Sequence, residues 1–153
     1  HKREMKRSRQ QVKRIEERMF QYLAEYYDLT FAMTENYARL DGVLMKDNKI
    51  HRIAEVKVRW MSLQTLKNFG SYLISYDKLE AGREASRAFC APFVILLYLV
   101  DSDNICSIKM TNEKGQYITP FKKEVTRTAY DIDGGSVDRM NAYVQLDRLT
   151  IIK

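Results

Sequence analysis

The stretch Ala91–Val100 is an almost unbroken apolar run, bounded by Pro92 near its start and by Asp101-Ser102-Asp103-Asn104 after it. It is about half as long as a membrane-spanning helix must be, so it reads as a buried strand. A central strand over Phe93–Val100, a turn at Asp101–Asn104 and a hairpin partner over Ile105–Met110 follow from it. At 153 residues, a single core can bury roughly two-thirds of the surface that the unfolded chain exposes. One domain spanning 1–153 is therefore expected.

Towards the N-terminus, Lys2 to Tyr27 contains neither Gly nor Pro. Val12, Ile15, Met19, Leu23 and Tyr26 recur at three- and four-residue steps, which predicts an amphipathic helix. Its first part, residues 1–15, is basic enough to be read as an extension into solvent or onto a partner. Thr30, Phe31 and Thr34 suggest a short edge strand within Asp28–Asn36. Tyr37–Met45 and Lys49–Arg59 then read as a hairpin turning at Lys46-Asp47-Asn48. Ser62 can cap a helix through Leu63, Leu66, Phe69, Leu73 and Ile74, with interruptions conceivable at Gly70 or Gly82, that ends before Pro92. Beyond Pro120 the pattern weakens. Asp133-Gly134-Gly135 marks a loop, and Tyr143, Gln145, Leu146, Leu149 and Ile151 suit a last strand or a short helix followed by one. The order of elements is that of a mixed α/β or α+β domain.

Lys and Arg number 26 against 20 Asp and Glu, a net charge of +6, which favours a polyanionic partner. Cys90 and Cys106 lack metal-clip spacing and read as small core residues of a reducing, intracellular compartment. With His1 and His51 the only histidines, a His-rich metal centre or a Ser-His-Asp hydrolase is hard to build. No Gly-rich phosphate loop is present, so nucleotide hydrolysis is not indicated. The basic N-terminus has no apolar segment behind it, so neither a secretory nor a membrane destination is expected.

The hairpin carries the chemistry. If it turns at Asp47-Asn48, Asp41 falls opposite Ala54 or Glu55, and the two carboxylates become cross-strand neighbours. Glu55 and Lys57 share one face of their strand, with Val56 pointing away. Like charges placed across a ladder repel, and a divalent cation relieves the conflict. Hard oxygen donors from Asp41, Glu55 and the Val56 carbonyl suit Mg²⁺ or Mn²⁺. Lys57 is placed to act on a metal-associated water and on a phosphate. Arg59, Gln64 and Lys67 would extend a basic rim for nucleic acid.

Leu40-Asp41 followed by Ile53-Ala54-Glu55-Val56-Lys57 on consecutive strands resembles the PD-(D/E)XK nuclease superfamily, with Leu40 at the nominal proline. The resemblance runs from the first helix to the strand ending at Met110. In arrangement it looks most like Holliday-junction resolvases and related phage nucleases. It implies a restriction-endonuclease-like fold, a mixed central sheet flanked by helices with the acid-x-lysine motif on a central strand. It also implies a metal-dependent deoxyribonuclease acting on DNA in recombination, repair or phage replication, in the cytoplasm of a bacterial, archaeal or phage-infected cell. Such relatives carry a helix glutamate near the metal. Glu16 fits that role and lies on the apolar stripe of the first helix, with Glu17 and Glu25 as alternatives. A Gln or a cation early in the helix after the motif often meets the scissile phosphate in the family, which nominates Gln64.

Enzymes of this architecture that cut two strands often pair, so a homodimer is an expected assembly. Trp60 and the Tyr26-Tyr27 pair could stack on unpaired bases, although core or rim packing is the better account of each. The acid and lysine chemistry reads phosphate and metal, so it does not separate DNA from RNA. The rival function is a nucleic-acid-binding or assembly module that keeps the fold without the chemistry.

Overall fold

The computed structural model describes residues 9–33, 42–130 and 136–153. Helix α1 (Arg9–Tyr27) buries Met19, Phe20, Leu23 and Ala24 and turns Glu17, Arg18 and Gln21 to solvent. Its period of 3.6 residues thus carries one apolar stripe. Lys13 and Arg14 in its basic N-terminal half are exposed. The part of the expected helix before Arg9 lies outside the described residues.

Strand β1 (Thr30–Met33) pairs antiparallel with β2 (Gly42–Lys46), and β2 with β3 (Lys49–Arg59). The two-residue turn Asp47-Asn48 has φ of 52° and 62°, the left-handed pair that a tight hairpin with native twist requires and that Asp and Asn tolerate. β3 then runs parallel to β5 (Phe93–Leu99), followed by β6 (Asn104–Lys109) and β9 (Leu149–Ile151). The resulting mixed sheet has the order β1-β2-β3-β5-β6-β9. The apolar run is central, as its composition requires, and β1 lies at one edge of the sheet, with β9 at the other. Val100–Ser102 forms a 3₁₀ turn before β6.

The segment between β3 and β5 departs from the sequence expectation of one helix. Helix α2 (Leu63–Phe69) begins where expected, with the Ser62 hydroxyl accepting from the Thr65 amide. It ends at Gly70, whose φ of 77° lets its amide donate to the carbonyls of Leu66 and Lys67. Ser71–Ser75 is strand β4, and Tyr76–Phe89 is helix α3. Leu73 and Ile74 continue the helical spacing of α2 but belong to a strand. The spacing misled because β4 has partners far along the chain. It pairs with β8 (Ser136–Gln145), which pairs with β7 (Phe121–Tyr130), forming a second sheet of order β4-β8-β7. The tail that reads as one strand is therefore two, in different sheets: Tyr143 and Gln145 lie in β8, Leu149 and Ile151 in β9. The predicted loop at Asp133-Gly134-Gly135 lies outside the described residues. The whole is a mixed α/β fold of the restriction-endonuclease-like kind.

The main sheet separates two apolar clusters. On one face Ala54 and Val56 of β3 pack with Met19, Phe20 and Leu23 of α1 and with Val94 and Leu96 of β5. On the other face Ile53 packs with Leu79 of α3, with Ile95, Leu97 and Leu99 of β5, and with Tyr72, Ala142 and Val144 of the second sheet. Among the described residues, no helix is long and apolar enough to cross a membrane.

Candidate active site

Alternation along β3 decides where the motif points. Ala54 and Val56 belong to the α1 side, so Glu55 and Lys57 project to the face covered by α3. In the parallel ladder Glu55 lies beside Ile95 and Lys57 beside Leu97, both fully buried. The Glu55 side chain has no exposure at all, whereas Lys57 is 31% exposed. A carboxylate in such surroundings is costly unless cations compensate it. Two do: the Lys57 ammonium lies 3.2 Å from Glu55 Oε1, and that of Lys78 on α3 lies 3.7 Å from the same oxygen. Both lysines remain partly exposed, so their field reaches solvent and attracts anions.

Lys78 is the residue that sequence reasoning missed. Its contribution depends on β4 delivering the first turn of α3 over β3, a long-range arrangement that no local spacing encodes.

Of the other candidates, Asp41 lies outside the described residues. The residue after it, Gly42, is paired with Ala54, one position from Glu55. Arg59 continues the Glu55 and Lys57 face and lies over the Tyr72 ring, with its guanidinium carbon 5.6 Å from the ring centroid. Gln64 and Lys67 are exposed on α2, and Gln64 donates to Asn68 Oδ1 at 2.9 Å. Glu16 is half-buried on α1, the helix whose apolar stripe covers the opposite side of β3 from the Glu55 carboxylate. Glu17 and Glu25 are exposed on the same helix. Tyr26 and Tyr27 pack edge to face with ring centroids 4.9 Å apart, and Arg52 lies over Tyr27 at 4.3 Å. Trp60 is 39% exposed just past β3.

Among the described residues, no three His, Cys, Asp or Glu side chains converge as a metal-binding group. The donor chemistry at the end of the hairpin nevertheless suits a hard cation. A fully buried carboxylate supplies oxygen, the neighbouring Val56 carbonyl is of the same type, and the sequence sets a second carboxylate immediately before Gly42.

A second polar cluster stands apart from this one. The Glu80 carboxylate of α3 accepts from Arg83 Nη2 and from the Tyr117 hydroxyl, each at 2.9 Å. Burial pushes the Glu80 carboxyl up, but the bonds from Arg83, Tyr117 and Tyr76 outweigh it and leave it below the usual glutamate value. Its position and full complement of partners mark it as a structural clasp between α3 and the segment leading into β7.

Comparison with known families gives a match over most of the chain. The family described as "Phage putative PDDEXK endonuclease" matches residues 3–139. Neither the curated proteins nor the solved structures gave a significant match. PD-(D/E)XK nucleases generally use divalent metals, in keeping with an acid and a lysine two residues apart on a central strand. With the family match covering residues 3–139, and an acid and a lysine two residues apart on a central strand, this chain belongs to the phage PDDEXK endonuclease family.

Proposed function

We propose that this protein hydrolyses phosphodiester bonds of DNA with Mg²⁺ or Mn²⁺, acting on structured substrates of phage replication, recombination or repair. The single observation that carries the reading is the Glu55 carboxylate, wholly buried yet held within salt-bridge distance of two partly exposed lysines. A strand that merely displayed alternating charges to water would not bury its acid. Asp41, Glu55 and the Val56 carbonyl would hold the cation. When bound, the ion supplies a polarised water and withdraws charge from the phosphate.

The chain's own residues do the rest. Glu55 fixes the Lys57 ammonium on the strand's reactive face. Lys57 orients the attacking water by hydrogen bonding and balances the charge that grows on the phosphate oxygens. Lys78, approaching from α3, adds a second positive charge on the same side. Arg59, Gln64 and Lys67 bind the phosphates that flank the scissile one. Glu16 is assigned no direct contact with the ion in this scheme. The family's endonuclease description, given on its own terms, favours internal cleavage.

The test is incubation of the protein with plasmid, single-stranded and four-way-junction DNA, with and without Mg²⁺ or Mn²⁺, beside Asp41→Ala, Glu55→Gln and Lys57→Ala. Metal-dependent products that a chelator stops and that each substitution abolishes are expected. Salt-sensitive binding without products would instead identify a binding module, and cleavage persisting in Lys57→Ala would move the site elsewhere. Matched RNA strands in the same assay decide the sugar.

A further inference from the structure

Beyond the end of β3 the surface sinks into a hollow of about 420 Å³, within the range of roughly 300–1,000 Å³ typical of ligand sites. Arg59, Leu66, Phe69, Tyr72, Leu73 and Tyr143 line it. The hollow joins the two parts of the molecule that the chemistry connects least obviously: α2 and the β3 terminus on one side, the second sheet on the other. Phe69 is 70% exposed and Leu73 43%, a local concentration of apolar surface that a protein facing only water would not favour.

We propose that this hollow receives an unpaired nucleotide of the DNA bound at the Glu55 site, so that the enzyme prefers strands with free bases over continuous duplex. The inference rests on the phosphodiesterase reading of that site and adds a substrate class to it. Continuity comes first. Arg59 lines the hollow and lies two residues after Lys57 on the same face of β3, one pleat away along a backbone that rises about 3.3 Å per residue. A strand whose phosphate sits at Lys57 therefore has its neighbouring nucleotide within reach of Phe69 and Tyr143. The lining chemistry comes second. Aromatic faces stack on any base, and an arginine beside them pairs with phosphate or stacks as a cation. Charge comes third. Tyr143 is directly opposite Lys122 across the β7–β8 ladder, and Lys122 is exposed, so cations flank the aromatic floor on both sides. Bases within an intact duplex present edges rather than faces and cannot enter. Unpaired bases at forks, flaps, gaps and strand ends can.

The test measures binding with a chelator present, so that no strand is cut. The probes are a fluorescently labelled single strand and the same strand annealed into a blunt duplex. Wild-type protein should bind the single strand more tightly. Phe69→Ala and Tyr143→Ala should each weaken that binding by about tenfold while changing duplex binding by less than about twofold. Phe69→Trp should restore it. Because Phe69 is so exposed, its truncation leaves the core untouched, and an unchanged thermal midpoint checks this. Equal losses on both probes, no loss on either, or a shift in mass by light scattering showing that the hollow joins two copies of the chain would each overturn the proposal. Cleavage with Mn²⁺ is scored separately. If wild-type protein makes no products while Phe69 still governs single-strand binding, the nuclease reading fails and the base-binding hollow stands.

Discussion

Lys78 and Glu55 lie 3.7 Å apart although one belongs to the helix that follows β4 and the other to a strand of the main sheet. Lys57 reaches the same carboxylate oxygen from along β3, so one buried acid receives cations from two directions.

That convergence gives different expectations for the two lysines. Lys57→Ala should abolish cleavage, because it removes the group that acts on the water. Lys78→Ala should lower the initial rate of plasmid nicking by about tenfold, less than the ~100–1,000-fold lost when a donor that directly contacts the developing oxyanion is removed. Lys78→Arg should recover part of the rate. Indistinguishable rates for Lys78→Ala and wild type would confine Lys78 to a structural role.

The seat of α3 on the sheet depends on Gly82. A Cβ built there falls onto the ring of Phe93, which is fully buried among core side chains. Alanine normally favours a helix over glycine by about 1 kcal/mol, but overpacking a buried ring costs about 1–3 kcal/mol. Gly82→Ala should therefore lower the thermal midpoint, and cleavage should fall with it as α3 carries Lys78 away from Glu55. A raised midpoint in a calorimetric scan would show that Phe93 has room to yield.

The Glu80 clasp predicts an acid limb to the stability curve. Its carboxyl sits below the ordinary value of 4.5 in the folded chain, so the folded state holds the ionised form more firmly than the unfolded state does. The resulting stabilisation is complete above that ordinary value and disappears as the pH drops through the lower, folded-state value. Glu80→Gln should flatten the dependence over this interval. Denaturant midpoints measured between neutrality and the acid transition decide it.

The two thiols should separate cleanly. Cys106 has no exposure in β6, and burial pushes its thiol up to about 11. Cys90 caps the C-terminal end of α3 and is exposed. Thiolate is the reactive species, so an alkylating reagent near neutral pH should modify Cys90 alone in native protein and both residues after unfolding. Mass spectrometry showing rapid native labelling at Cys106 would contradict the burial of β6.

What the sequence makes legible is local. Helix α1, the Asp47-Asn48 hairpin and the apolar strand β5 all announce themselves within a dozen neighbouring residues, through helical spacing, a left-handed turn pair and an apolar run respectively. The Glu55 and Lys57 pair is legible for the same reason, because two positions along a strand share a face whatever the rest of the chain does. The second sheet is not. Lys122, Lys123, Glu124 and Val125 in β7 are all exposed, so the alternation that would betray a half-buried strand is missing. β4 is hidden more deeply, since Leu66, Phe69, Leu73 and Ile74 keep helical spacing across Gly70. Once β4 is misread, the position of Lys78 cannot be recovered. Glu16 is legible only in part: spacing places it on the apolar stripe of α1, where it is half-buried, but a stripe says nothing about which side of the sheet it covers.

Ser75 both ends β4, where it is paired with Asn141 of β8, and precedes the first residue of α3. No slack separates the outlying β7–β8 hairpin from the ammonium three residues further on. Asn141 of β8 is thereby joined, through a single residue, to the start of the helix that carries Lys78. The small sheet is thus continuous in the chain with the helix that sets Lys78 beside Glu55.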